Sequence, residues 1–375
     1  MAVILIAGDF CPHDRLVSLL ETERYSEVFD GVRDVINNSD YSIVNFETTI
    51  ADKKNDPAIK KAGPALCTTN KAIEALKYAG FNCCTLANNH FYDYGQKGVE
   101  NSIKALSTQG LDYVGAGNNL EEASTVLFKK IGGKRIAIIN CCEHEFSIAT
   151  KTTAGCNPLN VIQQYSAIKN AKTNADYVIV IVHGGLEHLQ YPSVRMKEAY
   201  RFFIDAGADA VINHHQHCYL GMEEYKGRPI FYGLGNFCFD WDGKRKEIWN
   251  EGYMVKLVLD TDIQYEVIPY IQCDEKPTVE LLDEVKKSSF YEVFTKLSVD
   301  YCDNEKLELV NREFAEKMKN RYNMIFEPYS GRISWALYFR SLLPSFAKKN
   351  IETKINFIEC ESHRDALLKH LKSFL

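Results

Sequence analysis

The strongest constraint on the fold is an alternation, through about residue 217, of short apolar runs with segments of helical period. A short apolar run between turn signals is typical of a buried strand, and apolar positions three and four apart are typical of an amphipathic helix. This alternation predicts a layered α/β domain with helices on the faces of its sheets. The predicted strands are residues 3–7, 41–46, 83–87, 135–140, 177–182 and 210–212, and the predicted helices include 71–78, 98–109, 161–172 and 195–206.

Beyond residue 217 the apolar period changes to two, which is typical of half-buried strands joined by hairpins. This pattern predicts strands at residues 221–225, 229–232, 253–259 and 265–270, with turns at 226–227 and 261–262. Past Pro277 the chain is charged and helical in period, which predicts helices at residues 279–297, 304–320, 333–346 and 361–375. We therefore predict a first domain over residues 1–275 and a helical C-terminal region over residues 276–375.

Composition narrows the function class and the compartment. The 44 Lys and Arg are balanced by 50 Asp and Glu, so the chain lacks the positive field of a nucleic-acid-binding protein. No apolar run reaches the roughly 18 residues that a transmembrane helix needs, and the N-terminal run is too short for a signal peptide. The twelve Cys include no Cys-x-x-Cys, which favours buried, reduced thiols. We expect a soluble, cytoplasmic protein.

Side chains that can bind a metal or move a proton follow the predicted strands, at the sheet edge where α/β proteins bind ligands. They are Asp9 after the first strand, Glu47 after the second, Asn89 and His90 after the third, His183 after the fifth, and His215 and His217 after the sixth. Oxygen and imidazole donors that converge on one edge make a site for one or two divalent cations. Taken singly, an Asp there also serves as a helix cap, and a lone His also serves as a hydrogen-bonded half-buried residue.

Two local patterns sharpen this hypothesis. His215 and His217 alternate just past a strand, so both reach one site if the backbone bends there. We expect the neighbouring His214 to pack on the surface. Asp93 follows His90 by three residues, which suits a carboxylate that orients an imidazole.

Six segments, in this order, resemble the motifs of the CapA-type poly-γ-glutamate capsule biosynthesis proteins, whose domain is similar to the calcineurin-like metallophosphoesterases. The segments are Gly8-Asp9, Asn45-Phe46-Glu47, Asn88-Asn89-His90 with Asp93, His183-Gly184-Gly185, His215-x-His217, and Gly233-Leu234-Gly235-Asn236-Phe237. The resemblance covers roughly residues 3–240 and implies a four-layer α/β/β/α sandwich for the first domain. The helical C-terminal region lies outside it.

The resemblance also implies roles for individual residues around two divalent metal ions, of Mn, Fe or Zn. The implied ligands are Asp9 and His217 on the first metal, Asn89, His183 and His215 on the second, and Glu47 bridging both. His90 would face the substrate as the catalytic residue, with Asp93 fixing its tautomer. Glu187 and Asn236 are assigned to substrate binding. The alternatives are an ion pair with an Arg for Glu187, and tight packing behind the metal site for the glycine-rich segment around Asn236.

Two positions depart from the wider phosphoesterase pattern. Cys11 stands where a His ligand of the first metal is usual, and the bridging residue is Glu47 where an Asp is usual. A longer carboxylate still spans two cations. Packing is the favoured role of Cys11, with metal binding as the alternative. The nearby His13 is expected to be solvated, with substitution for Cys11 as a metal ligand as the alternative.

The resemblance implies a metal-dependent, phosphoesterase-like hydrolase in capsule, exopolysaccharide or poly-γ-glutamate metabolism. Its substrate would be a phosphoester or an anionic polymer, attacked by a water molecule that two metals activate. The alternative is a non-catalytic accessory or binding subunit of a cell-surface polymer synthase. In the C-terminal region, an apolar stripe at helical spacing predicts packing within the protein, or else a peripheral membrane or synthase contact. The stripe comprises Trp335, Tyr338, Phe339, Leu342 and Leu343.

Overall fold

The computed structural model describes residues 1–318, Leu337, Leu342 and residues 349–374. The strands are β1 (Ala2–Phe10), β2 (Tyr41–Phe46), β3 (Thr49–Ile50), β4 (Cys67–Thr68), β5 (Cys83–Thr85), β6 (Asp112–Val114), β7 (Ala116–Gly117), β8 (Leu127–Ile131), β9 (Lys134–Cys142), β10 (Gly155–Cys156), β11 (Tyr177–His183), β12 (Ala210–His214), β13 (Met222–Tyr225), β14 (Arg228–Phe231), β15 (Asn236–Cys238), β16 (Glu251–Leu259), β17 (Ile263–Gln272) and β18 (Val279–Leu281). The helices are α1 (Arg15–Glu21), α2 (Tyr25–Asn37), α3 (Lys71–Ala79), α4 (Gly95–Thr108), α5 (Leu120–Ala123), α6 (Val161–Asn174), α7 (Val194–Ala206), α8 (Glu284–Asp300), α9 (Asn304–Lys317), α10 (Ile351–Glu359) and α11 (Glu361–Lys372).

Within the described residues, the strands form two large sheets and two short pairs. The first sheet has the order β18-β17-β16-β1-β2-β5-β6, and β15 pairs with the end of β1. The second sheet has the order β13-β14-β12-β11-β9-β8. Strands β1, β2, β5 and β6 run parallel in the first sheet, as do β9, β11, β12 and β14 in the second. The carboxyl ends of parallel strands share one edge of a sheet, which is where α/β proteins place their ligands.

The two sheets pack face to face between outer helices. In β1, Ile4 and Ile6 belong to the core that the sheets share, whereas Leu5 and Ala7 pack with residues of α2, α3 and α4. This alternation follows from the two-residue period of a strand. Helix α6 contributes Ile168 to the core on the side of the second sheet, and helix α7 contributes Tyr200 and Phe203. The predicted α/β/β/α order of layers is therefore confirmed.

The ends of the outer helices follow ordinary capping chemistry. The Ser193 hydroxyl accepts a hydrogen bond from the Met196 backbone N–H at 3.1 Å and starts α7. Gly207, with a φ of +117°, ends the same helix, and Gly80, with a φ of +105°, ends α3. Glycine accepts this left-handed conformation without a steric penalty.

Where the structure describes the chain, the predicted elements agree with the observed ones except near residue 280. The six strands predicted before residue 217 are all present, with ends shifted by at most three residues. The helix predicted over residues 279–297 is wrong at its start, because Val279–Leu281 pairs with β17 as strand β18. Helix α8 begins only after Asp283, whose side chain accepts from the Val285 and Lys286 N–H groups. A strand of three residues is too short to show a period in the sequence.

The helical C-terminal region packs against the α/β layers. Phe290, Phe294 and Leu297 of α8 join the core between the sheets. Helix α11 is attached through an ion pair from Arg195 Nε to Asp365 Oδ2 at 2.8 Å. The division between residues 275 and 276 stays a prediction. Among the described residues, no helix has the length and hydropathy required to span a membrane.

Part of the C-terminal prediction lies outside the described residues. This applies to the predicted helix at residues 333–346, apart from Leu337 and Leu342, and to the apolar stripe apart from Leu342. The side chain of Leu342 is exposed.

Candidate metal centre and its cavity

The carboxyl ends of parallel strands from both sheets bring the predicted ligands together. Asp9 lies next to the end of β1, Glu47 follows β2, Asn89 lies in the segment after β5, His183 ends β11, and His215 and His217 follow β12. All six side chains are buried. Donors contributed by both sheets therefore converge between them.

Two groups of three side chains have the spacing of metal ligands, and both contain Glu47. One group is Asp9, Glu47 and His217, and the other is Glu47, His183 and His215; within each group the ligand atoms lie within 4.8 Å of one another. Oε1 of Glu47 is 3.5 Å from His183 Nε2 and 3.7 Å from His217 Nε2. The residue predicted to bridge two metals thus lies between the two groups.

The Glu47 carboxylate is fully buried, and neither of its oxygens has a hydrogen-bond partner among the residues that the structure describes. An isolated buried carboxylate is strongly unfavourable, so such a group is normally paired, protonated or bound to a metal. The surrounding imidazole and carboxylate donors suit a divalent transition metal. The residues present therefore fit the implied cations.

Asn89 and the facing imidazoles surround the second group. Asn89 Oδ1 is 3.0 Å from His183 Nε2, and His215 Nδ1 is 3.1 Å from the same nitrogen. Nitrogen and oxygen atoms of these three side chains thus lie close together. Asn89, His183 and His215 are the residues predicted to hold the second metal, and that role stays a prediction.

The backbone bends sharply after β12, as the alternation of histidines requires. His215 has a φ of +99° and His217 a φ of +55°. Non-glycine residues rarely adopt such angles, and they cluster at functional sites. The bend turns both imidazoles toward Glu47.

Buried amides hold the ligands in place from behind. Asn45 Nδ2 donates to Asp9 Oδ1 at 2.7 Å and lies 3.2 Å from His183 Nδ1. Asn236 Oδ1 lies 2.9 Å from His217 Nδ1, so it accepts a hydrogen bond from the Nδ1–H group and leaves Nε2 of His217 facing Glu47. Asn236 is fully buried and contacts His217 directly. Its predicted role in substrate binding stays a prediction.

His214 is not on the surface, which corrects the expectation for that residue. It is 1% exposed, and its Nδ1 lies 3.4 Å from Asp9 Oδ1. Strand β12 extends to His214 and pairs there with His183, two residues beyond the predicted end. Because the strand continues to His214, the side chain of this residue is buried next to Asp9.

Burial and the neighbouring charges move the pKa values of the ligands in different directions. Burial alone would raise the pKa of Asp9, but hydrogen bonding and charge from His214, together with the other histidines, hold it well below its ordinary value. Burial, reinforced by Asp9, raises the pKa of Glu47. Burial, reinforced by His215, lowers the pKa of His183. Neutral imidazoles keep the lone pairs that metals require.

His90 and Asp93 form the predicted pair, with an added cation. His90 Nδ1 is 2.7 Å from Asp93 Oδ2, and the Leu66 N–H donates to the same oxygen at 2.7 Å. Lys61 forms a buried ion pair with Asp93, and its Nζ lies 3.1 Å from His90 Nδ1. Burial and the charge of Lys61 lower the pKa of His90. The sequence prediction missed Lys61, because it lies in a loop without any motif.

Comparison with known proteins identifies the family. Residues 3–241 match the model described as "Bacterial capsule synthesis protein PGA_cap". The chain belongs to this family.

Two curated relatives and one solved structure illustrate the range of similarity to this PGA_cap protein. The chain is 34% identical over 316 residues to "Capsule biosynthesis protein CapA" of Bacillus anthracis, which covers 78% of this chain and 74% of that protein. It is 30% identical over 294 residues to "PGA biosynthesis protein CapA" of Bacillus subtilis, covering 77% and 76%. The crystal structure of a novel phosphatase from Mycoplasma pneumoniae aligns with a TM-score of 0.43 and 15% identity, over 74% of this chain and 95% of that one.

A cavity of about 590 Å³ opens beside the ligands of this PGA_cap protein. Asn89, His90 and Glu187 line it, together with Lys61. Glu187, predicted to bind substrate, is thus exposed to the cavity, unlike Asn236.

Helices of the C-terminal region form another wall of this cavity. Their lining residues are Val310, Glu313, Phe314 and Lys317 of α9, Asn356 of α10 and His363 of α11, with Met318. The helical C-terminal region, which the sequence pattern predicts as separate from the first domain, therefore borders the candidate metal centre.

Cys11 packs beside the site in a small apolar cluster with Leu66, Phe239 and Trp249. Burial, reinforced by the charge of Glu47, raises the pKa of its thiol well above the ordinary value. Cys11 belongs to neither of the two ligand groups. The ring of His13, which lies nearby, stacks on Trp241 with centroids 4.6 Å apart.

Proposed function

We propose that this chain is a metal-dependent hydrolase that cleaves a phosphoester or a related linkage in capsule, exopolysaccharide or poly-γ-glutamate metabolism. The observation that carries the proposal is the bare, buried carboxylate of Glu47 between two groups of metal-ligating side chains. Two bound divalent cations would supply a water of lowered pKa and stabilise negative charge on the substrate.

The chain's own residues have distinct tasks in this proposal. Asp9 and His217 would hold the first cation, Asn89, His183 and His215 would hold the second, and Glu47 would serve both. The nitrogen and oxygen donors suit Mn, Fe or Zn. Asn45 and Asn236 orient the ligands from behind, which maintains a geometry that the chain adopts before substrate arrives.

His90 is the proposed residue for proton transfer. The Nδ1–H group of His90 donates a hydrogen bond to Asp93. Nε2 of His90 is then the nitrogen that exchanges a proton with the leaving group. Lys61 pairs with Asp93 and balances its charge. The bound cations would supply the positive charge that an anionic substrate, such as a phosphoester or a polyanionic chain, requires. The family description and the names of the relatives support a cell-surface polymer as the context.

The first experiment measures metal content by elemental mass spectrometry for the wild type, Asp9→Ala and His215→Ala. The expected result is about two equivalents in the wild type and loss in both variants, because each replacement removes a ligand. His13→Ala, which changes a histidine outside the two groups, is the control and retains the metals. A wild-type protein that binds no metal even after addition of Mn²⁺ or Zn²⁺ would overturn the proposal.

The second experiment separates an enzyme from an accessory subunit of a polymer synthase. Replacing His90 with Gln should leave metal content intact and lower Mn²⁺-dependent hydrolysis of a responsive phosphodiester about 10²- to 10⁴-fold, since one proton-transfer group is lost. If His90→Gln instead supports polymer formation in cells as well as the wild type does, the accessory function is favoured.

A further inference from the structure

A third group of metal-ligating side chains lies where α10 and α11 meet the segment that follows β9. Glu145, Cys360 and His363 each offer one ligand atom, and these atoms lie within 4.8 Å of one another. None of the three belongs to the groups around Glu47. Cys360 and His363 also lie beyond residue 241, where the family match ends.

We propose that Glu145, Cys360 and His363 form a separate site for zinc. A thiolate, an imidazole and a carboxylate are the three side-chain types that bind zinc, and a water would complete a tetrahedral set. The sulfur ligand distinguishes this group chemically from the two groups around Glu47, which contain only nitrogen and oxygen donors. Zinc binding would release the thiol proton of Cys360 to solvent.

The local fold brings two of the ligands together. Cys360 separates α10 from α11 and is the N-cap residue of α11, and His363 follows three residues later. Side chains at the N-cap and at the third helical position lie next to each other, as in a capping box. The sequence Cys-x-x-His therefore places a sulfur and an imidazole on the same side of the first turn.

Glu145 approaches this turn from the α/β layers. Its Oε1 lies 4.0 Å from Cys360 Sγ, and the thiol itself is fully buried. The distance exceeds a direct contact and leaves room for an ion between the two atoms.

The neighbouring Glu143 is committed to other partners. It forms an ion pair with Arg195, accepts from Ser362 Oγ at 2.7 Å and from the Gly185 N–H at 3.2 Å, and its Oε2 lies 3.6 Å from Cys360 Sγ. Glu143 therefore fixes the start of α11 and already has a cationic partner in Arg195. Glu145 is the carboxylate assigned to the ion.

The proposed site joins the C-terminal helices to the candidate metal centre. Glu145 Oε1 lies 3.5 Å from His215 Nε2, and both Glu145 and His363 line the cavity. Helix α11 already contacts this region through Glu361, whose Oε1 is 2.6 Å from His144 Nδ1. A bound zinc would hold the cavity wall closed at this point.

Cobalt substitution tests the sulfur ligand directly. The metal-free 375-residue chain, titrated with Co²⁺, should develop the near-ultraviolet absorption of a thiolate-to-cobalt charge transfer. The band should disappear in Cys360→Ser and persist in Cys11→Ser, which removes the thiol near the first group, and in Cys302→Ser, which removes an exposed thiol. A band that persists in Cys360→Ser would overturn the proposal.

Zinc stoichiometry provides the second readout and does not depend on hydrolysis. With this site filled in addition to the two around Glu47, the wild type should bind about three equivalents of zinc. Cys360→Ser and His363→Gln should each bind about one equivalent less, whereas Asp9→Ala retains the equivalent that depends on Cys360. Zinc that depends on Cys360 but not on Asp9 therefore supports this site even if the hydrolase proposal fails. Circular dichroism of the metal-free proteins checks that the variants fold; if Cys360→Ser does not, unchanged stoichiometry in a folded His363→Gln overturns the proposal.

Discussion

At the scale of single residues, the candidate centre depends on the side chains behind the ligands as much as on the ligands. Asn45 donates to Asp9, Asn236 accepts from His217, and Asp93 holds His90. Each partner selects one orientation or one tautomer. Replacing residues that hydrogen-bond to metal ligands typically changes metal affinity or activity 10- to 100-fold.

Asn236 gives the sharpest test of such positioning. Replacing Asn236 with Ala removes the acceptor for His217 Nδ1, so the ring is free to rotate or to change tautomer, and metal affinity should fall about 10- to 100-fold. Competition with a chelator measures the affinity. Asn157→Ala is the matched control, because Asn157 is also a buried amide, donating to the Asn140 carbonyl at 2.8 Å. Equal affinities in the two variants would exclude the positioning role.

Asp240, which lies outside the candidate metal centre, should make the stability of the folded protein depend on pH. Burial alone would raise its pKa, but hydrogen bonds from Arg15 and Arg245 hold it below the ordinary 3.8. The Asp240 carboxylate therefore binds a proton more tightly in the unfolded chain than in the folded protein. Its contribution to the free energy of unfolding is complete above about pH 4 and is lost as the pH falls through the folded-state pKa. Asp240→Asn should be less stable at pH 7 by about 1–3 kcal/mol, since it leaves Arg15 without its charged partner.

Denaturant unfolding at a series of pH values checks this expectation. The difference between the wild type and Asp240→Asn should shrink as the solution is acidified below pH 4. Asp242→Asn is the control: Asp242 also pairs with Arg245, at 3.0 Å, but its side chain is 85% exposed, so little change is expected. A constant difference at every pH would contradict the assignment.

At the scale of elements, the close approach of β1 to the glycine-rich segment before β15 positions Asp9. The Asp9 N–H donates to the Gly235 carbonyl at 3.2 Å. A Cβ on Gly8 would lie 2.0 Å from that carbonyl oxygen. Only glycine permits this approach, so the segment around Asn236 serves packing in addition to any contact with substrate.

Replacing Gly8 with Ala should push the two segments apart. The expected cost is about 1–3 kcal/mol, as for other overpacked sites, with a loss of metal at the first group because Asp9 moves. Thermal unfolding and metal analysis measure the two effects. Gly133→Ala is the control: its φ of +82° adds strain, but no atom lies within 4 Å of the new Cβ, so metal content should not change. Full metal content in Gly8→Ala would refute the expectation.

Elements with long buried runs are the ones that the sequence predicts well. Residues 41–46 are predicted as a strand and form β2, and the end of β11 differs from its prediction by one residue. Since parallel strands end at a common edge, the residues after them are predicted together, and Asp9, Glu47 and the histidines do converge. Short elements such as β18 carry no periodic signal.

Contacts between distant segments lie beyond such a prediction. Lys61 reaches Asp93 from a loop, and His214 is buried because β12 runs two residues further than its apolar run. Cys360 and His363 meet Glu145 only because the start of α11 contacts the segment that follows β9. Docking depends on tertiary pairs such as Arg195 with Asp365, and a helical period does not specify which surface the helix will cover.

At the scale of the whole molecule, the C-terminal helices complete a cavity that the α/β layers begin. The ligands come from strand ends, whereas much of the opposite lining comes from α9, α10 and α11. In the proposed function, the α/β layers supply the metal ligands and the C-terminal helices contribute to the choice of substrate. Changes in α9 should alter selectivity and leave the metals in place.

Val310 and Phe314 lie one turn apart on α9 and line the cavity. Replacing Val310 tests whether α9 affects the choice of substrate without affecting metal binding. Val310→Trp should narrow the cavity, so that kcat/KM for a bulky phosphodiester falls about tenfold or more relative to a small one, with metal content unchanged. The adjacent Leu309 is 47% exposed and is absent from the lining, so Leu309→Trp is the matched control and should leave the ratio unchanged. Substrates of both sizes are assayed with all three proteins. If Val310→Trp slows both substrates equally, α9 does not select the substrate, and the cavity walls that matter are those built by the α/β layers.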